Sequence, residues 1–152
     1  MSYAELEIGL SGLDQAGHYH VELRFDNPRD DAERTPVRGV AAIDPQALLA
    51  LADSRGNEYG LALAKSVFAE DEVRGKYGEF KAAVESADDF LRVKLFVDRS
   101  APELHRLRWE LLTDPATGQA LATSEKILFS RFGTSSDWRP VRLRAKSELH
   151  AL

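Results

Sequence analysis

The sequence predicts an α/β domain with an α+β tendency: a mixed sheet, built from an N-terminal antiparallel meander and later strands, with about three helices packed on it. Two observations carry this. Residues 3–10, 18–25 and 90–97 alternate apolar and polar side chains with the period of a half-buried strand. Residues 71–87 place Val73, Tyr77, Phe80, Val84 and Ala87 at steps of four and three, the stripe of an amphipathic helix. Burying that stripe requires a sheet or a helix pair beneath it, which the meander and the later strands supply.

Each element has its own local reason. In YAELEIGL, Leu6, Ile8 and Leu10 share a face, and Glu5 and Glu7 take the other. In HYHVELRF, Tyr19, Val21, Leu23 and Phe25 oppose His18, His20, Glu22 and Arg24, so a hairpin is expected across the polar link 11–17. Residues 26–35 (DNPRDDAERT) hold six charged groups and a proline and read as a loop. Strand character returns at 36–43. Asp44 before Pro45 is a helix start, because the carboxylate can accept free backbone N–H groups while proline has none to lose. That helix is expected over 45–52, a second over 58–69 with Leu61, Ala64 and Phe68 inward, and the third over 71–87.

After FLRVKLFV (90–97), Ser100 is expected to cap a short helix in APELHRL, and residues 109–112 (WELL) read as strand-like. A turn at 114–118 (DPATG) and a strand at 126–132, pairing back as a hairpin, complete the domain. One domain is expected over 1–136. Residues 137–152 read as a basic tail or linker: 125–152 carry six basic and three acidic groups, whereas 1–124 carry 14 and 22.

With 152 residues and 43% hydrophobic content, the chain can bury a real core, about 70% of its unfolded surface by size scaling, without disulfides or metal. It contains no cysteine, which removes disulfides, Cys-based zinc sites, iron–sulfur clusters and a thiol nucleophile. A net charge of -5 makes nucleic acid an unfavoured partner. There is no run of 18 apolar residues and no basic-then-apolar leader, so no membrane partner is expected and the expected location is cytoplasmic.

Catalytic signatures are missing: there is no GxSxG, no phosphate loop, no GxGxxG, no HExxH and no EF-hand series. His18 and His20 share a strand face and raise a metal-dependent hydrolase as an alternative, although zinc needs a third ligand and the solvated side of a hairpin accounts for the same residues. A triad drawn from Ser100, Ser124 or Ser130 with His105 and Asp98 has only proximity in its favour. The paired acids Asp30–Asp31 and Asp88–Asp89 read as solvated loop charge. In the tail, Trp138 with Arg139, Arg142, Arg144 and Lys146 supplies the ingredients of a single-strand nucleic-acid adaptor. An edge strand or linker with Val141 and Leu143 inward accounts for the same alternation. Trp109 reads as core, and Glu110 beside it must point outward or meet an arginine, Arg108 or Arg131. The residues expected to matter for interaction or structure are therefore Trp109, Glu110, Arg131 and Trp138. No catalytic, cofactor-binding or metal-binding residue is assigned, and no cofactor is expected.

The stretch PELHRLRWELL, followed by a D-P-x-x-G turn and LATSEKILFSRF, resembles the region preceding the peptidase core in bacterial CHAT-domain proteins of the caspase-like clan. The matching pattern is an apolar strand, then D-x-x-A-P-E-L-H-x-L-x-W-E-x-L, a turn and a segment ending in Arg before an aromatic. It is met by 91–98, 101–105, Leu107, Trp109, Glu110, Leu112, Asp114, Pro115, Gly118, Leu121 and Arg131. YAELEIGL, HYHVELRF and DWRPVRLR extend the likeness, which is specific mainly over 90–142. The resemblance implies a non-catalytic scaffold or interaction domain that supports regulated proteolysis by a parent peptidase, in settings that include defence. The family's catalytic His and Cys lie downstream, so none maps to this chain. It also implies a downstream caspase-like core or another protein as partner. A domain cut from such a neighbour would leave an apolar patch, so homo-oligomer contacts or a bound partner are expected.

Overall fold

The computed structural model describes residues 2–30, 34–51 and 56–133. Five strands form one mixed sheet: β1 (Tyr3–Ser11), β2 (Tyr19–Asp26), β3 (Val37–Ala41), β4 (Phe90–Val97) and β5 (Ile127–Gly133), in the order β3-β2-β1-β4-β5. The first three strands make the expected antiparallel meander, with Leu6 opposite Phe25 and His20 opposite Val40. Strand β4 then lies parallel to β1, pairing Leu6 with Val93. A parallel neighbour cannot be reached by a tight turn, and the crossover is made by α1 (Pro45–Leu51), α2 (Gly56–Val67) and α3 (Asp71–Ser86).

The helices cover one face of the sheet, where period-two and period-3.6 patterns meet. Leu6, Ile8, Leu23, Val93 and Leu95 on the strands, with Leu63, Val67 and Val73 on the helices, are fully buried in a single core. Each such side chain contributes roughly 1.5–3 kcal/mol by leaving water. The N-terminal signal of α1 works as its chemistry suggests, the Ala47 N–H donating to Asp44 Oδ1 at 3.2 Å.

The other sheet face has no layer over it among the described residues. Its charges neutralise one another across strands: Glu5 accepts from Arg92 at 3.1 Å and Lys94 at 3.0 Å, and Glu22 pairs with Arg24 and Arg38. Burial by itself pushes the Glu22 carboxyl up, but the two guanidinium groups outweigh it and hold the group below its ordinary value.

Several expectations are corrected. Strand β5 does not fold back as a hairpin; it runs parallel to β4, with Val93 opposite Phe129, because the connection through 98–126 returns the chain to the end of the sheet where β4 began. Residues Trp109–Leu111 form a 3-10 turn, not a strand, since Leu112 N–H bonds back to the Trp109 carbonyl. Ser100 does not cap the 3-10 helix Pro102–Arg106; Ala101 holds that position, and Ser100 Oγ accepts from the Gly12 N–H at 2.8 Å. On α2, Leu61 is exposed, and Tyr59 and Leu63 join Ala64 and Phe68 in the core instead. Ala87 lies outside α3 and is exposed. Asp89 is not solvated charge: it is buried, and Arg29 donates to it at 2.9 Å. The boundary expected near 137 lies outside the described residues.

Candidate functional site

The segment that carries the motif, residues 98–124, lies as a clasp between the ends of β4 and β5 and the helices. It opens at Asp98, which accepts from Ser100 Oγ at 2.6 Å and from the Ser100 N–H, while the Asp98 N–H is donated back to Leu10 of β1 at 2.8 Å. The chain then tightens into the Pro102–Arg106 turn, where a β-strand pattern cannot persist because Pro102 fixes its own φ and donates nothing. Glu103 of this turn accepts from the phenol of the buried Tyr19 on β2. Burial, reinforced by that carboxylate, pushes the Tyr19 hydroxyl up to about 12.

Trp109 is the anchor. It is completely buried, and its indole N–H donates to the Leu104 carbonyl at 2.8 Å, so its one polar atom is satisfied within the clasp. The next contacts tie the clasp to α2. Tyr59 Oη accepts from the Arg108 N–H at 2.8 Å, and Thr113 Oγ1 donates to the Gly60 carbonyl. Gly60 is a glycine because of this approach: a Cβ there would lie 2.1 Å from the Leu111 carbonyl oxygen.

The third attachment is to α3. Asp114, 2% exposed, accepts from Lys81 Nζ at 2.6 Å and Tyr77 Oη at 3.0 Å through Oδ2, and from the N–H groups of Ala116 and Thr117 through Oδ1. One carboxylate thus closes the DPATG turn and pins it to a helix; Gly118, with φ at 73°, completes the reversal. Burial alone would raise the Asp114 carboxyl, but the Lys81 ammonium and the two backbone donors win and hold it below its ordinary value. The same carboxylate raises Lys81 against the opposing effect of burial, and burial together with Asp114 raises Tyr77. A cleft of about 210 Å³ opens beside this cluster, lined in part by Lys81, Glu85, Asp114, Ser124 and Lys126.

The residues singled out from sequence divide. Trp109 is at the centre of the clasp. Glu110 is exposed and takes the outward alternative, forming no ion pair with Arg108 or Arg131. Arg131, exposed on β5, donates to the His105 carbonyl and so braces the clasp against the sheet edge. Trp138 and the basic tail lie outside the described residues. His18 precedes β2 and faces Asp14 at 3.7 Å, and among the described residues no group of three His, Asp or Glu side chains is placed to hold a metal. Ser100 and Asp98 meet, but the His105 ring bonds to neither. Sequence reasoning missed Tyr59, Gly60, Tyr77 and Lys81 as partners of the motif. Tyr77 was visible in the α3 stripe and Lys81 on its polar side, but nothing in the spacing ties either to Asp114.

Chemically, the arrangement fixes a surface. Asp114 spends both oxygens on internal donors, and among the described residues every buried side-chain nitrogen and oxygen has a partner. No described helix is long and apolar enough to cross a membrane. Fold and site together define an α/β domain whose long clasp is locked onto two helices and a sheet edge. Compared with protein-family models, curated proteins and solved structures, the chain gives no match in any of the three.

Proposed function

We propose that this chain is a non-catalytic scaffold or interaction domain, a cytoplasmic one, of the kind that precedes the peptidase core in CHAT-type caspase-like proteins and supports regulated proteolysis by the parent. One observation carries the reading. Within the stretch that carries the resemblance, Trp109 and Asp114 are buried at the two attachments of the clasp and spend their polar atoms on internal bonds. A reactive group needs a free lone pair or proton facing a substrate. A wall for another domain needs what is found here, a fixed backbone with satisfied interior polar atoms.

The absence of cysteine is consistent with a role beside, and not within, a cysteine-peptidase centre. The test is reconstitution. The peptidase core that the resemblance expects downstream is produced separately and mixed with this chain. A complex by sedimentation, together with a change in the core's peptidase rate on adding the chain, is the expected result. A core that neither binds the chain nor changes its rate overturns the reading.

A further inference from the structure

The two edges of the sheet are treated differently. Strand β3 is five residues long and covered: the Val40 N–H donates to Glu70 Oε1 at 2.8 Å, the Ala42 N–H donates to the Ser66 carbonyl at 2.9 Å, and a Cβ on Gly39 would strike Val73. That is how a natural sheet blunts an edge. Strand β5 is seven residues long, and among the described residues nothing covers its outer edge in that way. The Leu91 N–H donates to the Lys126 carbonyl, and Leu91 stands opposite Ile127, so residues 126, 128, 130 and 132 direct their backbone groups to β4. Phe129 and Arg131 therefore turn their N–H and C=O groups outward, and among the described residues these four groups have no hydrogen-bond partner.

We propose that β5 is the edge through which two copies of this chain join, antiparallel, about a two-fold axis passing beside Ser130, giving one continuous ten-stranded sheet. The sequence of β5, ILFSRFG, is self-complementary in this register. Phe129 stands opposite Arg131 of the second copy, both with outward backbone groups, and makes the hydrogen-bonded pairs. Leu128 stands opposite Phe132 of the second copy in a close, non-hydrogen-bonded pair on the open sheet face. These are the two large exposed apolar side chains of the strand, at 46% and 47%. The one charge on β5, Arg131, meets an aromatic ring and not its own equivalent, so the two-fold brings no like charges into register. A one-residue slip would leave the outward groups of Phe129 and Arg131 without outward groups opposite them. The proposal does not rest on the scaffold reading; either can fail alone.

The chain lacks cysteine, so a single introduced thiol reports cleanly. The axis brings Ser130 opposite its own copy with Cα atoms about 4.5–5.5 Å apart, within disulfide range. Ser130→Cys, mildly oxidised, is expected to yield covalent dimer at least about ten times faster than Leu128→Cys, whose copies would lie about 13 Å apart along the strands. By sedimentation the parent chain is expected to dimerise reversibly, and Leu128→Glu with Phe132→Glu to be monomeric, with thermal unfolding equal to that of the parent at concentrations too low for dimer, since both side chains are exposed. A parent chain that stays monomeric at tens of micromolar (about the range where weak edge pairing is read), or equal linking at 128 and 130, overturns the proposal.

Discussion

Replacing Asp114 by alanine removes the carboxylate that hydrogen-bonds the clasp to α3, and the structure sets the size of the effect. Four donors lose their acceptor. The Tyr77 hydroxyl is buried and left unsatisfied, at a cost of about 1–3 kcal/mol. The Lys81 ammonium retains Glu85 at 3.4 Å, so its loss is partial. The Ala116 and Thr117 N–H groups are only partly buried and can turn to water. Breaking a buried, hydrogen-bonded charge pair by removing one partner costs about 3–5 kcal/mol, which bounds the sum. For a chain of this size that corresponds to a fall in Tm on the order of 10 °C. Urea unfolding at neutral pH, parent against Asp114→Ala, is the assay. The pH dependence gives a second readout. The Asp114 carboxyl is held below its ordinary value, so its contribution is fully present above the unfolded carboxylate range and is lost as pH falls through the folded value. Lys81, raised, contributes below its unfolded value and loses that contribution only as pH rises through the folded one. The gap between parent and variant must therefore be flat near neutrality and shrink in acid. A loss below about 1 kcal/mol, or a gap that widens in acid, refutes the account of the clasp.

Other consequences follow from the same contacts. Gly60→Ala should destabilise by about 1–3 kcal/mol through overpacking, because the new Cβ meets a backbone carbonyl that has no rotamer to escape into; equal Tm values would contradict this. Trp109→Ala should cost about 3–5 kcal/mol, while Glu110→Ala beside it should stay within about 0.5 kcal/mol, as read by chemical denaturation of both. Tyr19, pushed up to about 12, should remain protonated past the ordinary tyrosine range in an ultraviolet titration, and Tyr19→Phe should leave the remaining curve unshifted. Because burial and Glu103 favour its neutral form, stability that Tyr19 holds below its unfolded value is lost as pH rises beyond it.

The sheet and helices were legible because each lies half in water: alternation in Leu6–Ile8–Leu10 and Leu91–Val93–Leu95, and the step pattern of Val73, Tyr77 and Phe80, record a buried side and a wet side directly. Legibility failed where the chain is buried without a period. Residues 109–112 set Trp109, Leu111 and Leu112 around an exposed Glu110, and over four residues a 3-10 turn and a short strand fit that pattern equally well. The direction of β5 was misread because local alternation carries no information about which neighbour a strand joins. Leu61 was placed inward by spacing alone, whereas Tyr59 takes that role because its hydroxyl has the Arg108 N–H to meet. Of the site, Trp109 could be read as a buried ring and Asp114 as a turn residue, but Lys81 and Tyr77 lie 33 and 37 residues from Asp114 and Tyr59 lies 49 from Arg108, and no pattern in a single chain links them. Asp89 shows the same limit: as half of an acidic pair it reads as solvent-facing, and only the fold brings Arg29 over it.

The claim on which the functional account depends is that this chain fixes a surface and performs no reaction. It is met most directly by incubating the purified chain with peptide, ester and phosphoester substrates, with and without added divalent metal. The account predicts rates indistinguishable from buffer. Turnover that rises with protein concentration and disappears on a single substitution within the chain would contradict it.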